Sequence, residues 1–234
     1  MTTPLLLALD TCTDLASIAL YDGEQVLSEM TWHSNRRHTV ELLPQVVAML
    51  TQAGLTAADV RGVAVAIGPG SFTGTRVALA LAKGMATAND LPLFGIATLD
   101  AIAYAHHAQA WPVTALVQAG RGRVCWGHYI QAARPGAWQQ VSPFAISSIE
   151  AVAAAIHAPT LFAGDLLAST RAVLTAQLGA HAHFASPALT VRRASLLAEL
   201  AWLRASWPAP PMTSPPWRPS TCTICLQAPA HDIT

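Results

Sequence analysis

Two stretches of this chain place residues where anions, metals or nucleophiles are commonly handled. The first is Gly68-Pro69-Gly70-Ser71-Phe72-Thr73-Gly74-Thr75-Arg76, which follows the apolar run Val63-Ala64-Val65-Ala66-Ile67 and opens an alanine-rich run from Val77 to Ala88. Glycines between a strand and a helix allow a sharp turn and leave the first-turn N–H groups bare, which suits an anion or a docking partner. The known chemical patterns do not fit. A phosphate cradle GxxxxGK[ST] fails because Thr73 stands five after Gly68 and Gly74 is followed by Thr75 rather than lysine. The dinucleotide pattern GxGxxG fails because its third glycine arrives one residue late, and the nucleophile elbow GxSxG fails because Pro69 stands two before Ser71. What remains is a tight strand-to-helix turn with close packing, or a docking element.

The second stretch is Asp10-Thr11-Cys12-Thr13, at the end of the apolar run Leu5-Leu6-Leu7-Ala8-Leu9. Asp10 reads either as a turn-capping carboxylate or, with Thr11 and Thr13, as a nucleotide contact. Metal chemistry is poorly supplied. His38 has Leu42 four residues later and His33 five earlier, so the i, i+4 histidine pair that shares a metal on one helix face is missing. No HExxH occurs. Cys222-Thr223-Ile224-Cys225 with His231 offers three ligands at most, a weak basis for a structural zinc. No metal is expected.

The elements that must hold these residues follow from pattern. Leu5–Leu9 reads as a buried strand, Ala16–Tyr21 as a second, Asp22-Gly23 as a hairpin turn, and Gln25–Met30 as a third strand. A helix follows from about Ser34 to Ala53, with Val40, Leu43, Val47 and Leu50 at helical spacing, Gly54 as its stop and a kink at Pro44. After the strand Val63–Ile67, a helix from Thr75 to Asn89 carries the small-residue stripe Ala78, Ala82 and Ala86. That stripe reads as ordinary core packing or as a pairing surface. A strand at Leu91–Ile96 and a helix capped by Thr98 end a first unit over 1–108. A second unit, 109–206, opens on the hairpin Val113–Gln118 and Arg123–Ile130. It continues through a helix at Ile149–Ile156, a strand at Thr160–Ala163, a helix at 166–178, a short strand near His183-Phe184 and a last helix over 192–206. The Pro-rich stretch 207–234 reads as an extended, divergent tail. The layout predicts an α/β fold of two subdomains with mixed sheets.

Several strings resemble those of the TsaB (YeaZ) family: LALDTCT from Leu7, RRHTVELLP from Arg36, GPGSFTGTR from Gly68, and Ala163-Gly164-Asp165. The resemblance covers about residues 5 to 205. It implies the actin, Hsp70 and sugar-kinase (ASKHA) fold, in which the first hairpin turn approaches nucleotide phosphates. It also implies a scaffold and dimerization role in making threonylcarbamoyladenosine beside the tRNA anticodon, with a TsaD-type transferase subunit and a TsaE-type ATPase as partners. Such a chain would form a homodimer when alone and reach tRNA indirectly through the complex. The partner interface then falls on Gly70, Ser71, Phe72, Thr73, Gly74, Arg76, Ala78, Ala82 and His38. The family commonly carries an aspartate where this chain has Gln118, and the TsaD-type relative an HxxxH where this chain has His38 and Leu42. Catalytic residues are therefore expected to be absent. No cofactor is expected to be required, with weak nucleotide binding at the partner interface at most. The family's closing P-x-Y-[LV]-R strand is also missing, a divergence that a reading-frame slip would produce and an intact mass would settle.

Composition agrees. With 234 residues, 53% hydrophobic and 11% charged, the chain can bury a sizeable core, and its zero formal net charge gives no general field for nucleic acid. The run Leu5–Leu9 is broken by Asp10 and Met1-Thr2-Thr3-Pro4 lacks a positive segment, so the cytoplasm is expected and a membrane is not. The four cysteines are scattered, as reduced thiols are. The competing expectation is an enzyme of the same superfamily: a nucleotide-dependent phosphotransferase, which needs metal-holding carboxylates, or a peptidase.

Overall fold

A computed structural model describes residues 4–131 and 138–204. The expectations for the tail, 207–234 with Cys222, Cys225 and His231, lie outside the described residues. The first sheet is built from β1 (Leu5–Asp10), β2 (Leu15–Tyr21), β3 (Val26–His33), β4 (Val60–Ala66) and β5 (Leu93–Ile96), in the order β3-β2-β1-β4-β5. β1 pairs antiparallel with β2 and parallel with β4. Helices α1 (His38–Gln52) and α2 (Phe72–Asn89) make the two crossovers.

β1 is buried along its whole length because helices cover both faces of the sheet at its centre. Its alternate residues sort to opposite layers. Leu7 and Leu9, with Val63 and Val65 of β4, pack against Leu42, Val46 and Met49 of α1 and Ala78 and Ala82 of α2. Leu6 and Ala8, with Ala64 and Ala66, face α6 (Ala194–Arg204) through Leu197, Ala198 and Ala201.

The second sheet repeats the plan. Its strands are β6 (Val113–Gln118), β7 (Arg123–Gln131), β8 (Trp138–Gln140), β9 (Ala145–Ser148), β10 (Thr160–Gly164) and β11 (Ala182–Phe184). The order is β11-β10-β6-β7-β8, with β9 also pairing β7. β6, β7, β8, β10 and β11 thus repeat the relative order of β1 to β5. α3 (Thr98–Tyr104) covers one face through Leu99, Ile102 and Ala103. α4 (Ile149–Ala154) and α5 (Ala168–Leu178) cover the other through Ile149, Val152 and Leu174. The helices that follow each sheet are exchanged: α3, from the first unit, lies on the second sheet, and α6, from the end of the second, lies on the first.

Local chemistry shifts several predicted boundaries. α2 begins at Phe72 rather than Thr75, because the Ser71 hydroxyl caps it by accepting the Gly74 N–H at 3.2 Å. α1 runs on as one helix through Pro44 and stops before Gly54, whose φ is +70°. Thr98 does not cap α3; it is buried inside the first turn, and Ala97 is the flanking residue.

Candidate docking face and the closed cleft

The two stretches singled out in the sequence form one device. The Ser71 N–H donates to the Cys12 carbonyl at 2.6 Å, and a Cβ on Gly70 would stand 2.1 Å from that same oxygen. One turn further on, a Cβ on Gly74 would stand 2.0 Å from the Thr11 carbonyl oxygen. The Thr11 hydroxyl donates to the Gly74 carbonyl at 2.6 Å and accepts from the Ala78 N–H at 3.3 Å, while the Thr75 hydroxyl donates to Cys12 Sγ at 3.3 Å. Gly70 and Gly74 are therefore glycine so that the start of α2 can lie directly on the backbone of the β1–β2 turn. Thr11 fastens that contact.

This geometry corrects the predicted interface. Gly74, Ala78 and Ala82 are buried, Ala78 and Ala82 fully so, because the small stripe brings α2 close to β1 and β4, and His38 is buried at the start of α1. They are core, and their side chains present no surface to a neighbour. Of the predicted residues, Gly70, Ser71, Phe72, Thr73 and Arg76 are exposed, Phe72 at 55%. Beside them lies a surface missed in the sequence. Val40, Leu43 and Val47 of α1 had the spacing of a packing stripe, yet they are 61%, 52% and 54% exposed, while Leu42, Val46 and Met49 do the packing. α1 is apolar on two faces, and only one is used by the fold. Between α1 and α2 runs an open groove of about 430 Å3, walled by Thr39, Leu42 and Leu43 on one side and by Phe72, Arg76 and Val77 on the other. The Arg76 guanidinium carbon lies 3.6 Å from the centre of the Phe72 ring, a cation–π contact that holds both side chains over the groove.

The other candidate place is the crevice at the carboxyl ends of the strands, where open α/β sheets commonly bind ligands. Asp10 ends β1, Gln118 ends the equivalent strand β6, and Asp165 follows β10. Each is engaged. Asp10 Oδ1 accepts the Cys12 N–H at 2.8 Å, a turn-capping contact, one of the two roles open to it from the sequence. Its Oδ2 accepts from Arg192 Nε at 2.9 Å, an ion pair buried on both sides. Arg192 also donates to the Thr13 hydroxyl and to the Leu15 carbonyl at 3.2 Å. Burial is the largest single influence and opposes its charge, but Asp10, Cys12 and Asp165 together outweigh it and hold the guanidinium above its ordinary pKa. Asp165 receives the Gln118 N–H at 3.1 Å, and its carbonyl receives the Gln118 side-chain amide at 3.0 Å. Burial, and then the Asp10 charge, push the Cys12 thiol up to about 12, far from the reactive range. The cavity left between Asp10, Ile102, Gly164, Thr190 and Arg192 is about 10 Å3, the room of one water. Among the described residues no group of three or more His, Cys, Asp or Glu is placed to hold a metal ion, and no helix is long and apolar enough to cross a membrane.

Comparison with known proteins gives a consistent set of likenesses. The family model described as TsaD, tRNA N6-adenosine threonylcarbamoyltransferase, matches residues 25–200. The tRNA threonylcarbamoyladenosine biosynthesis protein TsaB of Escherichia coli strain K12 is 36% identical over 135 residues, 57% of this chain and 58% of that protein. Its counterpart in Bacillus subtilis strain 168 is 30% identical over 138 residues, 59% of each. This chain thus spans less than two thirds of the curated relatives it matches. A crystal structure of an uncharacterized Pseudomonas aeruginosa protein, described as similar to the peptidase YEAZ, superposes with a TM-score of 0.61 at 32% identity, over 69% of this chain and 76% of that one. A YeaZ structure from the same organism gives 0.58 at 29% identity, over 68% and 76%. With the duplicated sheet order, the fold is the two-subdomain α/β one with mixed sheets expected, and it is shared with these YeaZ structures.

Proposed function

This chain belongs to the TsaB (YeaZ) family, and from that premise we propose that it is a non-catalytic subunit in tRNA threonylcarbamoyladenosine biosynthesis. It docks through the exposed faces of α1 and α2 onto a TsaD-type transferase, helped by a TsaE-type ATPase. The observation that carries this reading is the apolar groove between α1 and α2, lined by exposed Leu43 and Phe72, with Val40 and Val47 exposed three before and four after Leu43 on α1. A cluster of exposed large apolar side chains around a groove marks an interaction site more often than a solvated surface. Alone, the chain pairs with itself through the same face, and the transferase displaces the second copy.

Chemistry is assigned to the partner. Asp10 is committed to Arg192, and Gln118 stands where the family has a carboxylate, so a phosphotransferase here would lack its metal-holding pair. No cofactor is required, and any weak nucleotide contact falls at the partner interface. The tRNA is reached through the complex, in the cytoplasm.

The test is co-purification with the TsaD-type subunit. Leu43→Asp and Phe72→Ser each lose the partner while their thermal unfolding matches that of the parent. Retention at the parental level by both variants defeats the reading. So does ATP turnover by the purified chain with magnesium that disappears in Asp10→Asn.

A further inference from the structure

Resting on the docking reading above, we propose that the α1 and α2 face selects for a partner whose apolar helix is edged with carboxylates, and against a second copy of this chain. The groove is walled at one end by the first turns of both helices, through Thr39 of α1 and Phe72 and Arg76 of α2. Positive charge predominates at that end. Arg76 lines the groove and is exposed, and Arg36 and Arg37, also exposed, immediately precede α1. α2 contains no Asp or Glu, and the one carboxylate of α1, Glu41, is already engaged: it accepts from Trp32 Nε1 at 3.0 Å and lies 3.5 Å from Arg37. The apolar part of the face would accept any apolar helix. The arginine rim is the element that discriminates, since opposite charge around an apolar contact speeds and orients association while like charge suppresses the wrong partner. A second copy docking through this face presents the same arginine rim, because a two-fold interface uses one patch twice, so the self-pair brings two net-positive rims together. A carboxylate-edged helix meets the same rim with attraction. The self-pair is then the weak use of this face, and the one that salt strengthens by screening the repulsion.

A charge-reversed copy of the full chain, Arg36→Glu with Arg76→Glu, serves as a probe that keeps the apolar surface and inverts the rim. Sedimentation velocity then compares the parent alone with an equimolar mixture. At low salt the mixed pair forms at least about tenfold more tightly than the parental self-pair, and the gap closes as salt is raised. A parental self-pair as tight as the mixed pair, or a mixture that does not associate, overturns the proposal. Leu43→Asp in both chains separates the two levels of the account. If it abolishes whatever pairing is seen, the face is the docking surface and only the charge selection is at stake; if pairing survives it, the docking reading fails as well.

Discussion

Arg192 shows how a single side chain decides what a crevice does. It lies 182 residues from Asp10 in sequence, is itself buried, and supplies the positive charge that a buried carboxylate at a strand end demands. Removing one member of such a pair leaves the other uncompensated, so Arg192→Met should cost about 3–5 kcal/mol in chemical denaturation, with much of the loss recovered in the double variant with Asp10→Asn. Histidine burial gives a second expectation. Burial alone pushes His106 below its ordinary 6.5, and His128 likewise. Below about pH 6.5 the unfolded chain then takes protons that the folded chain refuses, so stability falls as pH drops through that value toward the folded pKa. His106 Nε2 is buried without a hydrogen-bond partner among the described residues. His106→Phe should therefore make the pH dependence of the denaturation midpoint shallower between neutral and mildly acid pH; an unchanged slope contradicts it.

At the level of elements, the glycine loop and α2 carry the argument. Gly74→Ala drives a Cβ into the Thr11 carbonyl, a backbone atom that cannot swing aside, so the variant should unfold at markedly lower temperature than Thr73→Ala, which changes an exposed neighbour. Gly74 and Ala78, expected from the resemblance at the partner interface, are thus positions where enlargement damages the fold itself. The elements themselves were legible where period and punctuation agree: the buried run Leu5–Leu9, the Asp22-Gly23 turn, and Gly54 as a helix stop. The signature string was legible as a strand-to-helix turn. Which side of α2 faced outward was not, because a stripe of alanines fits a close strand as well as a close neighbour, and only the position of the β1–β2 turn decides. In α1 two apolar stripes overlap, and spacing alone does not say which the sheet will take. The pairing of Arg192 with Asp10 has no local signature at all, since it depends on the last helix returning to the first sheet.

That return shapes the whole molecule. With α3 on the second sheet and α6 on the first, neither unit completes its core alone. The end of the described chain is tied back by ion pairs from Arg192 to Asp10, Arg193 to Glu29 and Arg204 to Asp100, and Asp100 also accepts the Tyr129 hydroxyl of the second sheet at 2.9 Å. The Trp202 ring lies edge-on to Tyr21 and over Gly23, where a Cβ would meet it at 2.1 Å. A chain ended at Val191 should accordingly lose cooperative unfolding of both sheets, seen by calorimetry, rather than leave the first unit intact. A molecule so bolted offers its crevice little freedom to open, and its unsatisfied surface lies elsewhere, on α1 and α2. Hydrogen exchange on the full chain, with and without the TsaD-type subunit, tests that placement most directly. Partner-dependent slowing of exchange across 38–47 and 72–81, with 10–13 and 164–166 unchanged, is the result the account predicts; slowing confined to the crevice, with α1 and α2 exchanging as in the free chain, would contradict it.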